Sequence, residues 1–497
     1  MLNLSMAILM LLGGIYEDTP FTVSLDPNFD EMECYREWLE TRPPVVAFES
    51  STITGTDGAQ FLLIFQEGLT DSLEDGYLDR WTTDIQSQGL STEVVEVTYS
   101  SVEELKAYLE TKYSQGMEGA VLVGDLPVPW SLLEDDSDLA GAIFPSDYYY
   151  MDLDGIWEDN WMGWPSSGVP GSDGFFDTIS GNLDPEIYIA RIKISNLTEL
   201  GDPTDILNDY LDRNHSWRLT GDPEPLNALC YVDDDWEPWA YSYQAAMETL
   251  YPNTELVSSP SATNGTDYIN NRLPGNYVWI SPFVHSTPHL HSWSPGPSTN
   301  WDQIVPAMPQ AHFYNLFACS NSLFTANHCM GSVYALCSNA GLASVGSTKS
   351  GAMLDFVHFY APMGDGASLG EAYREWWDHV AQGGLSAYER SWHLGMVVIG
   401  DPTLMPAMHM LGIEDQGSSF TPGVSLSSNP ARLQLEVEFP ANGASVELYD
   451  ISGRLAVRGT ISESVCTLDL VGLSSGVYVV RVSDGTLSGY ATVTVTQ

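Results

Sequence analysis

The chain has 497 residues, of which 43% are hydrophobic, and its formal net charge is −50. This length can build two or three domains with their own cores, and the hydrophobic content excludes a disordered protein. The charge comes from 67 acidic residues against only 17 basic ones. Such a surface repels nucleic acid and anionic lipid, so neither is expected as a partner.

The chain begins with an apolar run from Leu2 to Gly14. This run has the length of the hydrophobic region of a signal peptide and is too short to span a membrane. We therefore predict a signal peptide over residues 1–16 and a lead-in or pro-segment over residues 17–59. A buried first strand or helix is the alternative. No later segment of the sequence is long enough to be a membrane span.

Strands and helices alternate from residue 60 onward. Apolar runs predict strands, and amphipathic segments between them predict helices. The predicted strands are Phe61–Phe65, Thr92–Thr98, Gly119–Gly124 and Glu186–Arg191, and the predicted helices are Leu73–Gln88, Val102–Tyr113 and 202–215. This alternation predicts an α/β subdomain with a parallel sheet over residues 60–215.

A second α/β subdomain is predicted over residues 216–410. Its predicted strands are Ala228–Val232, Val278–Val284, His312–Ala318 and Gly341–Val345. Residues 411–422 are polar and contain Gly and Pro, which is typical of a linker. Short alternating strands separated by turns then predict a small β-sandwich over residues 423–497.

Two of these apolar runs are followed directly by reactive side chains. His285 follows the run Tyr277–Val284, and Cys319 follows the run Ala311–Ala318. In a parallel sheet the carboxyl ends of neighbouring strands face one crevice. A cysteine and a histidine at that place can act as nucleophile and base, which predicts a cysteine peptidase.

Two more histidines lie close behind the first one. His291 is the alternative base, and His289 is a third candidate, but His285 is preferred because the end of a strand holds it. A metal hydrolase built on all three histidines is an alternative from another class, although their spacing suits no common zinc motif. The six cysteines include no Cys-x-x-Cys pair, so neither a zinc knuckle nor a disulfide framework is predicted.

A long loop rich in Gly, Pro, Asp and Trp runs from Pro145 to Asp184. Oxygen ligands are concentrated within it, and they predict a structural calcium site, because calcium prefers six to eight oxygens. The candidate ligands are Asp152, Asp154, Glu158 and Asp159. The run Asp233–Asp235 is a second candidate, and a solvated acidic turn is the alternative. No organic cofactor is predicted.

The region around Cys319 resembles a known family. Phe317–Ser322, Met330–Leu336 and Gly341–Thr348 are similar to the nucleophile region of gingipain-type cysteine peptidases. Further similar segments are Val121–Asp125, Ser146–Gly155, Pro185–Arg191 and Ile399–Leu404. The resemblance covers residues 60 to 405 and implies a caspase-like catalytic subdomain beside a related α/β subdomain.

The resemblance also implies a mechanism. A dyad of Cys319 and His285 would hydrolyse protein or peptide substrates through a thioester acyl-enzyme. The backbone N–H groups of Ser286 and Cys319 would form the oxyanion hole. Members of the family typically have Gly after the histidine, where this chain has Ser286. That departure favours the alternative hypothesis, in which the protein is a catalytically inactive surface or binding protein that keeps the fold.

The last 75 or so residues have a resemblance of their own. Val446–Arg454 and Leu473–Arg481 are similar to motifs of the C-terminal sorting domain of type IX secretion cargo. This resemblance implies contact with the secretion machinery and a secreted or cell-surface protein. The tail Ala491–Gln497 lacks the basic residue that such tails often carry, so a plain immunoglobulin-like module is the alternative.

Overall fold

A computed structural model of the chain shows two compact units, Met1–Gly412 and Ile413–Gln497. The described residues of the first unit are 31–55, 58–134, 141–162, 169–220 and 227–407. Those of the second are 425–426, 431–438, 444–450, 455–462, 465–474, 476–483 and 488–495. The predicted signal peptide over residues 1–16 and the predicted linker over residues 411–422 lie outside the described residues.

The first unit is built on one sheet of eleven strands. In chain order the strands are β1 (Ser50–Gly55), β2 (Phe61–Gln66), β3 (Thr92–Val97), β4 (Gly119–Val123), β5 (Tyr188–Ile192), β6 (Asn227–Val232), β7 (Asn253–Val257), β8 (Trp279–Phe283), β9 (Phe313–Asn315), β10 (Ala343–Ser347) and β11 (Met396–Gly400). Their order across the sheet is β1-β3-β2-β4-β5-β11-β10-β9-β8-β6-β7.

Each half of this sheet is internally parallel. Strands β3, β2, β4 and β5 pair in parallel on one side, and β10, β9, β8, β6 and β7 do so on the other. Strand β11 lies between the halves and is antiparallel to β10, while β1 is antiparallel to β3 at the edge. The predicted fold class, α/β with a mostly parallel central sheet, is confirmed. Its division into subdomains over residues 60–215 and 216–410 stays a prediction.

Helices cover the sheet and connect its strands. The longer ones are Glu31–Thr41, Tyr77–Ser87, Val102–Ser114, Pro203–Thr220, Ala240–Met247, Val357–Gly364, Leu369–Ala381 and Ala387–His393. Several begin at a serine whose side chain accepts a hydrogen bond from the backbone of a glutamate three residues later, as Ser101 does from Glu104 and Ser368 from Glu371. These capping boxes fix where the helices start. Strands β2, β4 and β8 are buried almost throughout, as expected for a sheet covered on both faces.

Part of the predicted lead-in or pro-segment belongs to this unit. In the helix Glu31–Thr41, the rings of Tyr35 and Trp38 lie 4.9 and 5.4 Å from that of Trp130. Further along, β1 adds an antiparallel edge strand to the sheet. Residues 31–55 are therefore packed against the α/β unit.

The second unit is a small β-sandwich. One sheet contains Ser425–Leu426, Gln434–Glu438 and Val465–Asp469, and the other contains Leu455–Thr460, Ser445–Asp450, Gly476–Ser483 and Ser488–Val495. Apolar residues of both sheets, among them Leu435, Val437, Val446 and Leu448, form one buried cluster. Among the described residues of both units, no helix is long and apolar enough to cross a membrane.

Candidate active site

His285 and Cys319 lie beyond the ends of two neighbouring strands. Strands β8 and β9 pair in parallel, and a further bridge joins Phe283 to Phe317. His285 comes two residues after the first partner of that bridge, and Cys319 comes two residues after the second. The rings of Phe283 and Phe317 are 5.1 Å apart between centroids, so the strand ends remain in contact. The structure thus places both candidates at one level and on one edge of the sheet.

The chain turns sharply directly after Cys319. The cysteine is 2% exposed and forms no disulfide. The next residue, Ser320, has a φ of 54°, in the left-handed region that few residues other than glycine adopt. Its backbone N–H donates to the carbonyl of Lys349 at 2.9 Å. Conformations of this kind persist only where the surrounding structure holds them, and they are concentrated at functional sites.

The residues that follow Ser320 hold this turn together and bind it to strand β10. The amide nitrogen of Asn321 donates to the carbonyl of Ala318 at 2.8 Å. The backbone N–H of Ser322 donates to the carbonyl of Ser347 at 3.0 Å. A Cβ at Gly346 would lie 2.4 Å from both Asn321 Oδ1 and Ser322 Oγ. Because Gly346 has no side chain, it leaves the space in which the turn packs.

The imidazole of His285 has a different contact on each side. Its Nε2 lies 2.8 Å from Oδ2 of Asp235, and the centroid of its ring lies 4.4 Å from that of Trp236. A carboxylate accepts hydrogen bonds, so Nε2 carries the proton. Nδ1 is then the basic nitrogen of the neutral ring, and it makes no hydrogen bond to the part of the chain that is described. This tautomer can accept a proton from a thiol.

The sequence considered Asp233–Asp235 only as a second calcium site, and the structure shows three separate contacts instead. Asp233 is buried, and its carboxylate accepts the backbone N–H of Ser294 at 3.0 Å. Burial raises the pKa of Asp233 from 3.8 to about 7. Asp234 accepts a hydrogen bond from the hydroxyl of Ser294 at 2.9 Å, and Asp235 holds His285.

Asp235 is thus a site residue that sequence analysis did not assign. One signal could have found it: the acidic run follows the predicted strand Ala228–Val232 directly, as His285 and Cys319 follow theirs. Three polar strand ends in one parallel sheet are candidates for one crevice. The order of the strands across the sheet was needed to show that β6 is the neighbour of β8.

The other two histidines have different surroundings. His291 is fully buried, and its Nδ1 lies 3.0 Å from the hydroxyl of Ser286. Burial lowers the pKa of His291 from 6.5 to about 3, so the ring is neutral. His289 is hydrogen-bonded through Nε2 to the carbonyl of Asn327 at 2.8 Å. Within the described residues, the three histidines do not converge as metal ligands.

Ser286 stands where the resembling family typically has glycine. It belongs to the short strand His285–Thr287, which pairs with Leu290–Ser292. Side chains alternate along a strand, so Ser286 and His285 point to opposite faces. The hydroxyl of Ser286 donates to the carbonyl of Leu290 at 2.7 Å inside the hairpin. The extra side chain therefore leaves the face of His285 open.

The long acidic loop forms a carboxylate cluster, although its members differ from those predicted. Oxygen atoms of Asp152, Asp154 and Glu186 all lie within 4.8 Å of one another. Burial raises the pKa of Asp152 to about 6 and that of Glu186 to about 7. Glu186 was not among the predicted ligands, because 32 residues separate it from Asp154 in the sequence.

Glu158 and Asp159 were predicted as calcium ligands but are not members of this cluster. The carboxylate of Asp159 accepts the backbone N–H groups of Asp173 and Gly174, the latter at 2.7 Å. That of Glu158 accepts the side-chain amide of Asn160 at 3.0 Å. Both acids hold the local loop through hydrogen bonds. The positions of acidic residues in the sequence cannot distinguish this role from binding of a cation.

Comparison with one known structure shows the same overall fold, and a second is reported beside it. The complex of the pro- and mature domains of RgpB from Porphyromonas gingivalis matches with a TM-score of 0.51 and 14% identity, covering 88% of this chain and all of that one. The crystal structure of gingipain R, an Arg-specific cysteine proteinase, matches with a TM-score of 0.49 and 13% identity, covering 90% of this chain and all of that one. No curated protein matches the chain.

Two family models match separate parts of the sequence. The secretion system C-terminal sorting domain matches residues 428–495, which include the strands of the β-sandwich from Gln434 to Val495. Peptidase family C25 matches residues 56–407, which is more than half of the chain and includes His285 and Cys319. The protein therefore belongs to peptidase family C25 and carries a C-terminal sorting domain.

Proposed function

We propose that this cysteine endopeptidase uses Cys319 as its nucleophile and His285 as its base, with Asp235 orienting the histidine. Membership of the family gives the reaction class, and the sorting domain gives type IX export to the cell surface or beyond. The residue assignment is supported mainly by the bridge between Phe283 and Phe317, which brings the ends of the two strands together.

The reaction follows from these positions. The thiol of Cys319 gives its proton to Nδ1 of His285, and the thiolate attacks the scissile carbonyl carbon. The imidazolium then protonates the leaving amine, and a thioester acyl-enzyme remains. Water, deprotonated by the same imidazole, hydrolyses the thioester. In this proposal the backbone N–H groups of Ser286 and Cys319 stabilise the oxyanion.

The inactive surface protein is the weaker proposal. Its support in the sequence was the serine in place of glycine after the histidine. Because the hydroxyl of Ser286 is hydrogen-bonded to Leu290 inside the hairpin, it does not occupy the face of His285 that a substrate would approach. The substitution therefore gives no reason to expect loss of turnover.

A structural calcium ion is proposed for the cluster of Asp152, Asp154 and Glu186. The donors are all carboxylate oxygens, which suit a hard cation. Two of them are held where burial disfavours their charged forms, and a cation between them would relieve that cost. The ion would order the loop, and no step of peptide hydrolysis is assigned to it.

Labelling of the thiol tests the nucleophile. An acyloxymethyl ketone probe should label the parent protein and should fail to label Cys319→Ala. Cys329→Ala is the matched control, because this buried cysteine lies just beyond the same turn and should be dispensable for labelling. Turnover in Cys319→Ala equal to that of the parent would exclude the cysteine mechanism.

The histidine assignment has its own experiment. His285→Ala should lower the single-turnover acylation rate by orders of magnitude, and His289→Ala should leave it close to the parent value. Asp235→Ala should cost roughly ten- to a hundredfold in rate, the size of the effect seen when a histidine at a metal site loses its orienting partner. A larger loss in His289→Ala than in His285→Ala would show that the base is misassigned.

A further inference from the structure

Trp236 contacts His285 and Phe317, which lies two residues before Cys319. The side chain is 1% exposed. The centroid of its ring lies 4.4 Å from that of His285, at an interplanar angle of 57°. It also lies 5.8 Å from the ring of Phe317, at 74°. The indole therefore spans the end of the strand that precedes the histidine and the end of the strand that precedes the cysteine.

The backbone fixes this position firmly. Strand β6 ends at Val232, and the 3₁₀ helix Asp234–Trp239 follows it. The N–H of Asp233 donates to the carbonyl of Phe283 at 2.9 Å, and the N–H of Trp236 donates to the carbonyl of Asp233 at 3.1 Å. The turn is thereby tied to strand β8, two residues before His285.

Consecutive residues of this turn thus touch the imidazole in two ways. Asp235 binds the ring edge at Nε2, and Trp236 packs against the ring. The hydrogen bond at Nε2 alone does not fix the plane of the imidazole. Packing of the indole against the ring restricts its rotation. With both contacts made, the direction of Nδ1 is determined.

The indole N–H gives a second reason to look beyond simple packing. Nε1 of Trp236 is buried and has no hydrogen-bond partner among the residues that the structure describes. A buried donor without a partner lowers the stability of the fold, and phenylalanine at this position would avoid that loss. Tryptophan offers in return the largest ring face and the strongest attraction for a positive charge.

We propose that Trp236 is a positioning residue for His285, which holds the imidazole plane so that Nδ1 is directed at Cys319 and favours the imidazolium formed there. The inference rests on the proposed function. In the step concerned, the S–H bond of the thiol breaks and an N–H bond forms at Nδ1. No electrons are exchanged with any other group. The indole makes no bond in this step.

Two pairs of variants test this role. Trp236→Phe and Trp236→Leu remove part or all of the aromatic contact with His285. Trp217→Phe and Trp217→Leu are the matched controls, because Trp217 is also buried and packs on His312 and Phe313 at 4.8 and 5.2 Å. Those contacts lie at the amino end of strand β9, before the residues that lead to Cys319.

The readouts are the melting temperature, kcat and KM on one peptide, and the rate of Cys319 alkylation. We expect Trp236→Leu to lower kcat by roughly ten- to a hundredfold with little change in KM, and Trp236→Phe to recover most of the loss. The controls should lose similar thermal stability and keep kcat. Should Trp236→Leu fail to fold, Trp236→Met replaces it: a slower alkylation of Cys319 in that variant supports the role, and an unchanged rate overturns it.

The failures of the two proposals can be told apart. A parent protein without turnover and without labelling at Cys319 removes the proposed function, and this inference with it. An active parent with a parent-like kcat in Trp236→Leu removes only the positioning role. A loss of kcat in Trp217→Leu as large as that in Trp236→Leu would show that the indole contributes general packing alone.

Discussion

The substitution Gly346→Ala should displace Cys319, the proposed nucleophile, without contacting it directly. Gly346 lies on strand β10, and an added Cβ would meet Asn321 Oδ1 and Ser322 Oγ at 2.4 Å. Neither atom can move away freely, since Asn321 and Ser322 are fully buried and hydrogen-bonded. The turn that presents Cys319 must therefore shift as a whole.

The magnitude follows from the contact distances. Ordinary contacts of a Cβ begin near 3.4 Å, so the turn must shift by about 1 Å. Overpacking of this kind typically costs about 1–3 kcal/mol of stability. A misplacement of about 1 Å in a catalytic group can cost roughly a hundredfold in rate. We expect Gly346→Ala to melt a few degrees lower and to lose about two orders of magnitude in acylation rate.

Single-turnover kinetics and thermal melting measure the two effects separately. Gly476→Ala is the control, because a Cβ there meets nothing within 4 Å and the residue lies in the sorting domain. In the Gly346→Ala background, Ser322→Ala removes one of the two clashing atoms and should restore part of the rate. An acylation rate equal to that of the parent in Gly346→Ala would refute the claim that the packing of this turn positions Cys319.

Three further outcomes are expected. Excess EGTA should lower the melting temperature of calcium-saturated protein, and this response should vanish in Asp154→Asn but persist in Asp159→Asn. Burial depresses the pKa of His291 from 6.5 to about 3, so the stability that this neutral ring contributes is present above pH 6.5 and is lost as the pH falls toward 3. The decrease in urea midpoint between about pH 7.5 and about pH 5 should therefore be smaller in His291→Gln than in the parent or in His289→Gln. A chain lacking residues 31–55 should be less stable and more prone to aggregate, because it loses the rings that pack on Trp130 and exposes β3 as an edge.

The strands that the sequence predicted share one property. Phe61–Gln66, Gly119–Val123 and Trp279–Phe283 are buried along almost their whole length, so continuous apolar runs mark them. The sequence missed three strands of the sheet, one of which, β11, does have an apolar buried run. The other two lie at the sheet edges: every residue of β1 is exposed, and only the last two of the five residues of β7 are apolar. Edge strands bury too little surface to leave an apolar run in the sequence.

The same distinction separates the site residues that the sequence predicted from those that it missed. Cys319 and His285 were predicted because each directly follows an apolar run, which is a local pattern. Asp235 and Glu186 were not, because their partners are 50 and 33 residues away along the chain, and pairing across strands carries no local pattern. The order of strands in the sheet, which sequence periodicity does not encode, brings Asp235 to His285. Glu186 meets its partner because the chain returns from the long loop to the backbone of Met151 and Leu153.

The segment from Asp233 to Trp236 explains how an exposed acid could orient the ring of His285, the proposed base. The side chain of Asp235 is 63% exposed, so its attraction to His285 is screened by water and weak as an ion pair. Its neighbours supply the rigidity, because Asp233 is anchored to both strand β8 and Ser294, and Trp236 packs on the imidazole. The hydrogen bond to Nε2 therefore needs only to select the tautomer. In this proposal the packed turn sets the direction in which the imidazole of His285 points. Loss of Trp236 should therefore impair the reaction even when Asp235 is intact.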